Sequence, residues 1–213
     1  MSRREAHRRA RLEAIEQGAL RIVRDGGLDA LTMPTLAKEV GGAVGALYRY
    51  FASKEELLLA LQLRALEAFD RLLARELDST EGEPPLVRLR GALHSWGRFI
   101  TEEPELHELL QLSIAHPRAL LDDTRAAQVA ERFAPMVQRC GALLAEAEAQ
   151  GALVPGDREA RVWVLWGAVT GLEQLRKQDH RRADEHRAES LVDMAIDGLL
   201  SGWSASRSQP LDP

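Results

Sequence analysis

Apolar residues recur along the chain with the spacing of amphipathic helices. Leu12, Ile15 and Ala19 begin a series of i, i+3 and i+7 positions that predicts a helix near the amino terminus. Gly26 and Gly27 end this helix, because glycine accepts the left-handed conformation of a helix cap. No segment alternates polar and apolar residues as a half-buried strand does. The pattern therefore predicts an all-α protein.

Capping residues and helix breakers divide the remaining sequence into further helices. Thr32 caps a short second helix, a glycine pair breaks it, and a third short helix covers about residues 43–49. Ser53 and Glu56 form a capping box that opens a long helix through residue 77. Further helices are predicted to begin near residues 85, 104, 123, 157 and 186, and Pro117 interrupts the second of these.

The second and third predicted helices have the spacing of a helix-turn-helix motif. In that motif the second helix enters the major groove of DNA and the first crosses the backbone. The predicted organisation is a three-helix DNA-binding domain over residues 1–54, followed by a larger helical domain over residues 55–203. Residues 204–213 are polar, contain two prolines and are predicted to be a disordered tail.

Charge is distributed unevenly along the chain. The formal net charge is −5, but residues 1–54 carry ten Lys and Arg against six Asp and Glu, and the remaining residues carry a net charge of −9. A basic amino-terminal segment followed by an acidic remainder is typical of a protein that neutralises DNA phosphates with that segment alone. The alternative is that the Arg-rich start is a solvated, frayed chain end.

Two segments carry a resemblance to a known family. They read LAKEVG from Leu36 and GALYRYFASKEEL from Gly45, so that a Leu-Tyr-x-Tyr-Phe core precedes Ser-Lys-Glu. This pattern resembles the TetR (tetracycline repressor) family over residues 14–59. The resemblance implies a homodimeric transcriptional regulator that binds a palindromic operator in double-stranded DNA. It also implies that residues 55–203 bind an unknown small-molecule effector and form the dimer.

The resemblance assigns DNA contacts to residues around the third predicted helix. Tyr48 and Lys54 match family positions that contact phosphates, and Lys54 adds its charge to the free amides at the start of a helix. Residues 42–46 carry no side-chain hydrogen-bond donors, so base readout rests on apolar contacts with thymine methyls and on DNA shape. The predicted DNA-binding residues are Thr32, Thr35, Ala43, Val44, Tyr48, Arg49, Tyr50 and Lys54.

The last two predicted helices have the composition of a dimer interface. Residues 162–169 are apolar nearly all round, Gly167 and Gly171 permit close approach of another helix, and the final helix carries two apolar stripes. In the TetR family the last two helices form a four-helix dimer interface. A buried monomer core is the alternative. The predicted interface residues are Val162, Trp166, Gly167, Gly171, Val192, Ile196, Leu199 and Trp203.

Large apolar side chains with a few polar groups lie on the middle helices. This composition is typical of a ligand cavity, and it is equally typical of an ordinary hydrophobic core. The candidate effector-pocket residues are His94, Trp96, Phe99, His107, Leu110, Ile114, Phe133, Met136, Trp163 and Trp166.

The sequence carries no catalytic constellation. It has no nucleophile-elbow, phosphate-loop or dinucleotide fingerprint, and His107 lacks the second His of a zinc-binding helix. We therefore predict no enzyme activity, no metal site and no cofactor. The single Cys140, together with the lack of an apolar run of about 20 residues, indicates a cytoplasmic protein without a membrane segment.

These features together predict a homodimeric, ligand-responsive transcriptional repressor. An effector that changes the spacing of the two DNA-binding domains changes the affinity for DNA without touching the DNA contacts. The alternative is a ligand-binding or protein-interaction dimer with weak or non-specific DNA binding.

Overall fold

The computed structural model describes residues 2–115 and 121–204, and of residues 112–115 it describes the backbone alone. Within these ranges the fold is all-α, as predicted. Short 3-10 segments, Gln174–Arg181 and Asp184–His186, follow the penultimate helix, and one β-bridge joins Leu153 to Ser204. The helices are α1 (Arg3–Ala30), α2 (Met33–Glu39), α3 (Val44–Leu47), α4 (Lys54–Ser79), α5 (Pro85–Glu102), α6 (Pro104–Ala115), α7 (Asp123–Ala149), α8 (Arg158–Glu173) and α9 (Ala188–Gly202).

The predicted caps begin and break the helices at the expected places. Gly27 interrupts α1 with a φ of 73°, a conformation that favours glycine. The Thr32 hydroxyl accepts a hydrogen bond from the Thr35 amide at the start of α2. Asp157 caps α8 in the same way, through the amide of Ala160. Local side-chain chemistry thus explains most helix starts.

Three boundaries differ from the sequence-based expectation. The third helix is a single turn, Val44–Leu47, because residues 48–50 form hydrogen-bonded turns rather than a continued helix. The α-helical part of α8 ends at Glu173, and a 3-10 segment continues the chain to residue 181. Pro117 and residues 205–213 of the predicted tail lie outside the described residues.

The chain divides into two compact units. The first combines residues 1–68 with 103–132, and the second combines residues 69–102 with 133–213. The predicted boundary at residue 54 coincides with the start of α4 but not with the division between units. The reason is that Leu57, Leu58 and Leu61 at the start of α4 are buried, so the first turns of this helix add to the core of the first unit.

The first unit is built on the packing of α1 against α2 and α6. Ile15, Leu36 and Leu47 are fully buried, which fixes α1, α2 and α3 to one core. Gly18 permits a close crossing: a Cβ added there would lie 2.6 Å from Val40 Cγ1. Helix α1 therefore packs against the helix-turn-helix and supports it.

The second unit has an aromatic core. Phe69, Trp96 and Phe99 are buried, and their ring centroids lie 4.9–5.7 Å apart. Helix α8 packs against α5 and α9. Among the described residues, no helix is long and apolar enough to cross a bilayer.

Candidate DNA interface and ligand cavity

The start of α2 presents two hydroxyls on an exposed surface. Thr32 and Thr35 are both exposed, and their Oγ1 atoms lie 2.6 Å apart. The Thr32 hydroxyl also accepts the Thr35 amide at 3.2 Å, so it is held in place by the cap. Thr35 therefore carries the freer of the two hydroxyls for a contact with a phosphate oxygen.

The turn between α2 and α3 is braced by Arg11 from α1. Arg11 Nη1 donates a hydrogen bond to the Val40 carbonyl oxygen at 3.2 Å. Gly41 in the turn has a φ of 62°, and a Cβ at Gly42 would lie 2.8 Å from Arg11 Nη2. The Arg11 guanidinium thus fits directly against the backbone that leads into α3. Sequence reasoning missed this contact, for which the Arg-rich composition was the one available signal.

The exposed side of α3 is apolar. Ala43 and Gly45 are exposed, Val44 and Ala46 are half-buried, and Leu47 turns into the core. Ala43 stands at the amino-terminal cap of α3 and makes no side-chain cap hydrogen bond. This surface offers methyl groups and backbone to a DNA base edge and no side-chain donor.

Polar and cationic groups follow α3 directly. Tyr48 is 49% exposed, although it is a large aromatic residue, and Arg49 is exposed beside it. Tyr50 and Lys54 are half-buried, and Phe51 is buried as a core residue.

Lys54 is the first residue of α4, where Ser53 caps the helix. The Ser53 hydroxyl accepts a hydrogen bond from the Glu56 amide at 3.2 Å, and a Glu56 carboxylate oxygen accepts one from the Ala52 amide at 2.9 Å. The start of α4 therefore combines an ammonium group with amides that point along the helix axis, which is an arrangement that attracts phosphate.

The same segment matches a known protein family. Residues 15–61 match the model of bacterial regulatory proteins, tetR family. These residues run from the middle of α1 through α2 and α3 into α4, and they include each of the predicted DNA-binding residues. Over these residues the chain is similar to the TetR family.

The curated proteins similar to this chain include transcriptional repressors. The chain is 33% identical over 102 residues to the HTH-type transcriptional repressor KstR of Mycolicibacterium smegmatis, a match that covers 48% of this chain and 49% of KstR. The Rhodococcus jostii KstR is 32% identical over 100 residues, covering 47% of this chain and 45% of that one. The chain thus spans about half the length of the curated relatives it matches.

Two solved structures share the fold over most of both chains. The TetR-family regulator PfmR of Thermus thermophilus has a TM-score of 0.69 at 21% identity, with 88% of this chain and 97% of that chain covered. AibR, solved in complex with isovaleryl coenzyme A and operator DNA, has a TM-score of 0.71 at 22% identity, with 89% and 98% covered. At this identity the likeness concerns the fold.

The second unit contains an apolar cavity. Its volume is about 30 Å³ and its walls come from α4, α5, α7 and α8. Five of the predicted pocket residues line it, namely Trp96, Phe133, Met136, Trp163 and Trp166. Sequence reasoning missed Phe69 and Leu73, whose i, i+4 spacing on α4 indicates only an amphipathic helix.

The other predicted pocket residues lie elsewhere. Phe99 is buried beside Trp96 but does not line the cavity, and His94 lines a separate polar cleft. His107 and Leu110 do not line this cavity, because they belong to α6 in the first unit. The side chain of Ile114 lies outside the described residues.

Two residues that line this largely apolar cavity carry polar groups. Trp166 Nε1 is buried and has no hydrogen-bond partner among the described residues, which leaves an indole N–H that a ligand oxygen can satisfy. The Cys140 thiol also lines the cavity. Burial raises the pKa of Cys140 to about 11, against a smaller opposite effect of the Arg139 charge.

The polar cleft around His94 ties α5 to α9. His94 Nε2 lies 2.9 Å from Asp193 Oδ1, and Arg90 Nη1 lies 2.7 Å from the same oxygen. Burial acts to raise the pKa of Asp193, but the hydrogen bonds and charges of His94 and Arg90 together hold it below its usual value. These ion pairs give the cleft a structural role.

Helices α8 and α9 leave an apolar surface that is not covered. Trp163 and Val164 on α8 are 44% and 48% exposed, and Met194 on α9 is 64% exposed. Gly167 and Gly171 are exposed, with open space where a Cβ would lie. We call the exposed positions of α8 and α9, Trp163, Val164, Gly167, Gly171, Met194 and Gly198, the α8–α9 face.

The predicted dimer residues need a correction. Val162, Val192 and Ile196 are buried inside the protomer, so they offer no surface to a second copy. Of the two apolar stripes of α9, the one that contains Val192 and Ile196 packs into the protomer core. The other, which contains Met194, faces outward. Trp166, Leu199 and Trp203 are half-buried, and Trp166 lines the cavity. Helical periodicity detects both stripes but not which of them meets the core.

Proposed function

We propose that the protein is a homodimeric transcriptional repressor whose affinity for a palindromic operator is set by a small-molecule effector. The match of residues 15–61 to the TetR family carries this proposal, together with a helix-turn-helix that is exposed along α2 and α3. The KstR relatives are transcriptional repressors by name. A cytoplasmic location and the absence of catalysis go with this function.

The proposed DNA contacts divide by chemistry. Ala43 and Val44 meet base edges in the major groove, where their methyl groups suit the thymine methyl. Thr32, Thr35, Arg49 and Tyr50 contact the sugar-phosphate backbone. Tyr48 and Lys54, which both follow α3 along the chain, hold phosphates and so fix the register of α3. Sequence preference then comes from apolar contacts and from DNA shape.

A selection from random duplex DNA tests this function. The purified chain is incubated with a library of random duplexes, and bound DNA is amplified and sequenced over several rounds. The expected result is one enriched palindrome with half-sites about 34–36 Å apart, or one turn of DNA. A library that stays random would contradict the repressor and favour the alternative, a helical dimer without operator specificity, which the apolar surface of α3 supports.

The dimer is proposed to form through the α8–α9 face. Its exposed apolar side chains and its glycines allow two helix pairs to pack closely as a four-helix arrangement. Two copies related by a two-fold axis present two α3 helices, as a palindromic operator requires.

The effector is proposed to enter the aromatic cavity of the second unit. AibR was solved with both isovaleryl coenzyme A and operator DNA, which is a precedent for a ligand in this fold. The cavity of about 30 Å³ must widen to take such a molecule. Trp163 both lines the cavity and is exposed on the α8–α9 face, so a ligand that widens the cavity displaces a helix of the proposed dimer interface.

Matched small probes test the cavity. Toluene and anisole differ by one ether oxygen, which is an acceptor for the Trp166 indole N–H. In a 15N-labelled sample, both probes are expected to shift the indole signals of Trp163 and Trp166, and anisole to move the Trp166 signal further. Trp166→Phe assigns that signal and serves as the control. Unchanged spectra at millimolar probe would contradict a ligand-accessible cavity.

A further inference from the structure

The chain begins with a helical extension that lies ahead of the matched family region. Residues 3–14 precede residue 15, where the family match starts, and they form the first turns of α1. Ser2 and Glu5 cap this end: the Glu5 amide donates to Ser2 Oγ at 3.2 Å, and the Ser2 amide donates to Glu5 Oε2 at 2.7 Å. The Arg-rich start is therefore an ordered helix end, and the alternative of a frayed end does not hold.

The arginines of this extension are arranged by face. Arg4, Arg8 and Arg11 follow an i, i+4, i+7 pattern and so lie along one face of α1. We call Arg4, Arg8 and Arg11 the arginine stripe. Arg4 and Arg8 are exposed, and in the described part of the chain neither forms an ion pair. Arg9 lies off the stripe, near Glu5 and Glu13 in the helical pattern.

This placement of charge is locally unfavourable. Cations at the amino terminus of a helix oppose the helix dipole. Arg4 and Arg8 are also like charges four residues apart, a spacing that destabilises a helix. Glu5 in the first turn offsets part of this cost. A locally unfavourable charge pattern is typical of a functional surface, and a polyanion would relieve both effects at once.

Arg11 connects the stripe to the helix-turn-helix. Its guanidinium donates to the Val40 carbonyl oxygen and lies against Gly42, immediately before α3. At a rise of about 1.5 Å per residue, Arg8 and Arg4 follow at about 4.5 Å and 10 Å further along the axis of α1. The stripe is thus continuous with the surface that α3 presents to DNA, and it lies entirely within the first unit.

We propose that Arg4 and Arg8 bind backbone phosphates of the duplex beside the site read by α3. This inference rests on the proposed function, because it takes DNA as the partner. Charge complementarity and continuity with the helix-turn-helix surface support it. The side chains of α3 offer no hydrogen-bond donors. Contacts from Arg4 and Arg8 to phosphates would therefore supply electrostatic affinity for DNA that α3 itself lacks.

The test compares two double variants that each lose two positive charges. Arg4→Ala/Arg8→Ala removes the exposed part of the stripe, and Arg3→Ala/Arg9→Ala removes two arginines of the same extension that lie off it. The affinity of each full-length variant is measured over a salt series, on the selected palindrome and on scrambled DNA. Far-UV circular dichroism confirms that both variants remain helical, and Arg4→Lys/Arg8→Lys tests whether charge alone suffices.

Loss of the stripe is expected to reduce the slope of log affinity against log salt by about two for each bound protomer. Affinity at about 0.1 M salt should fall at least tenfold on both DNAs, and the Lys variant should keep most of the slope. The Arg3/Arg9 control should change the slope by less than one.

Two results would overturn the inference. Equal effects of the two double variants would mean that only net charge matters, and an unchanged slope for Arg4→Ala/Arg8→Ala would mean that the stripe does not touch phosphate. The proposed function fails separately, if the wild-type chain shows no preference for any DNA. In that case the slopes on scrambled DNA still decide whether the stripe binds phosphates.

Discussion

Lys54 is the residue whose proposed role is simplest to isolate. It stands half-buried at the start of α4, where the first amides of a helix favour a phosphate. Lys54→Ala is expected to weaken binding to all DNA sequences alike and to lower the salt slope by about one for each bound protomer. Salt titration of operator binding measures this slope.

Lys177→Ala is the matched control, because Lys177 is exposed in the 3-10 segment of the second unit. That variant should leave the slope unchanged. If Lys54→Ala and Lys177→Ala behave identically, the phosphate contact assigned to Lys54 is wrong.

Cys140 gives a second prediction at the level of one residue. Because burial raises its pKa to about 11, almost none of the thiol is ionised at neutral pH, and the thiolate is the reactive form. Alkylation of the native protein by iodoacetamide at pH 8 should therefore be at least tenfold slower than alkylation in denaturant. Mass spectrometry at timed intervals measures both rates, and equal rates would contradict the half-buried, cavity-lining position of Cys140.

The pH dependence of the same thiol has a definite sign. The folded pKa lies above the ordinary value, so the neutral thiol is favoured in the folded state. Its contribution to stability is complete below the unfolded pKa, and it declines as the pH rises from about 9 towards 11. In the Cys140→Ser variant, the free energy of unfolding should not show this decline between about pH 9 and 11.

At the scale of helices, the space around a glycine shows whether another helix crosses closely there or whether the helix surface is open. Gly18→Ala places a Cβ 2.6 Å from Val40 Cγ1, between α1 and α2, and should destabilise the protein by about 1–3 kcal/mol. Gly141→Ala lies within α7 with no atom within 4 Å of the new Cβ, and should stabilise it by about 0.5–1 kcal/mol. Urea unfolding measures both, and effects of the same sign would contradict the described packing.

Helix starts were predictable from the sequence, because they depend on local chemistry. Thr32, Ser53, Asp122 and Asp157 each accept a backbone amide at a helix start, as predicted. The length of α3 was not predictable, since the turns after Leu47 follow from how Leu47 and Phe51 are buried. The DNA-binding residues came from a family resemblance rather than from periodicity.

The cavity and the dimer surface were only partly predictable. Five of the predicted pocket residues line one cavity, but Phe69 and Leu73 come from a helix whose pattern indicates only general packing. For α9, both stripes are apolar, and only the packing of α8 against it shows that Val192 is internal and Met194 is exposed. Contacts between distant parts of the chain therefore determine which residues line the cavity and which stripe of α9 is buried, and local sequence patterns do not show this.

For the molecule as a whole, the α8–α9 face predicts the oligomeric state. Met194→Asp introduces a charge into the proposed interface at its most exposed apolar side chain, which is 64% exposed. The variant is expected to sediment as a monomer at micromolar concentration, where we expect the wild-type chain to be a dimer. Analytical ultracentrifugation measures this difference.

Val87→Asp is the matched control, because Val87 is 48% exposed but lies on α5, outside the face. It should remain dimeric. A dimer of undiminished stability in Met194→Asp would remove the α8–α9 face as the interface.

Site-specific DNA binding by a dimer underlies every proposed role of this chain, and fluorescence anisotropy measures it. The purified chain is titrated into labelled DNA from upstream of its own coding sequence and into a scrambled duplex of the same composition, across a salt series. We expect tighter binding to the upstream DNA, two protomers for each site and a steep salt dependence. Equal affinity for the two duplexes, or binding of one protomer for each site, would contradict site-specific binding by a dimer.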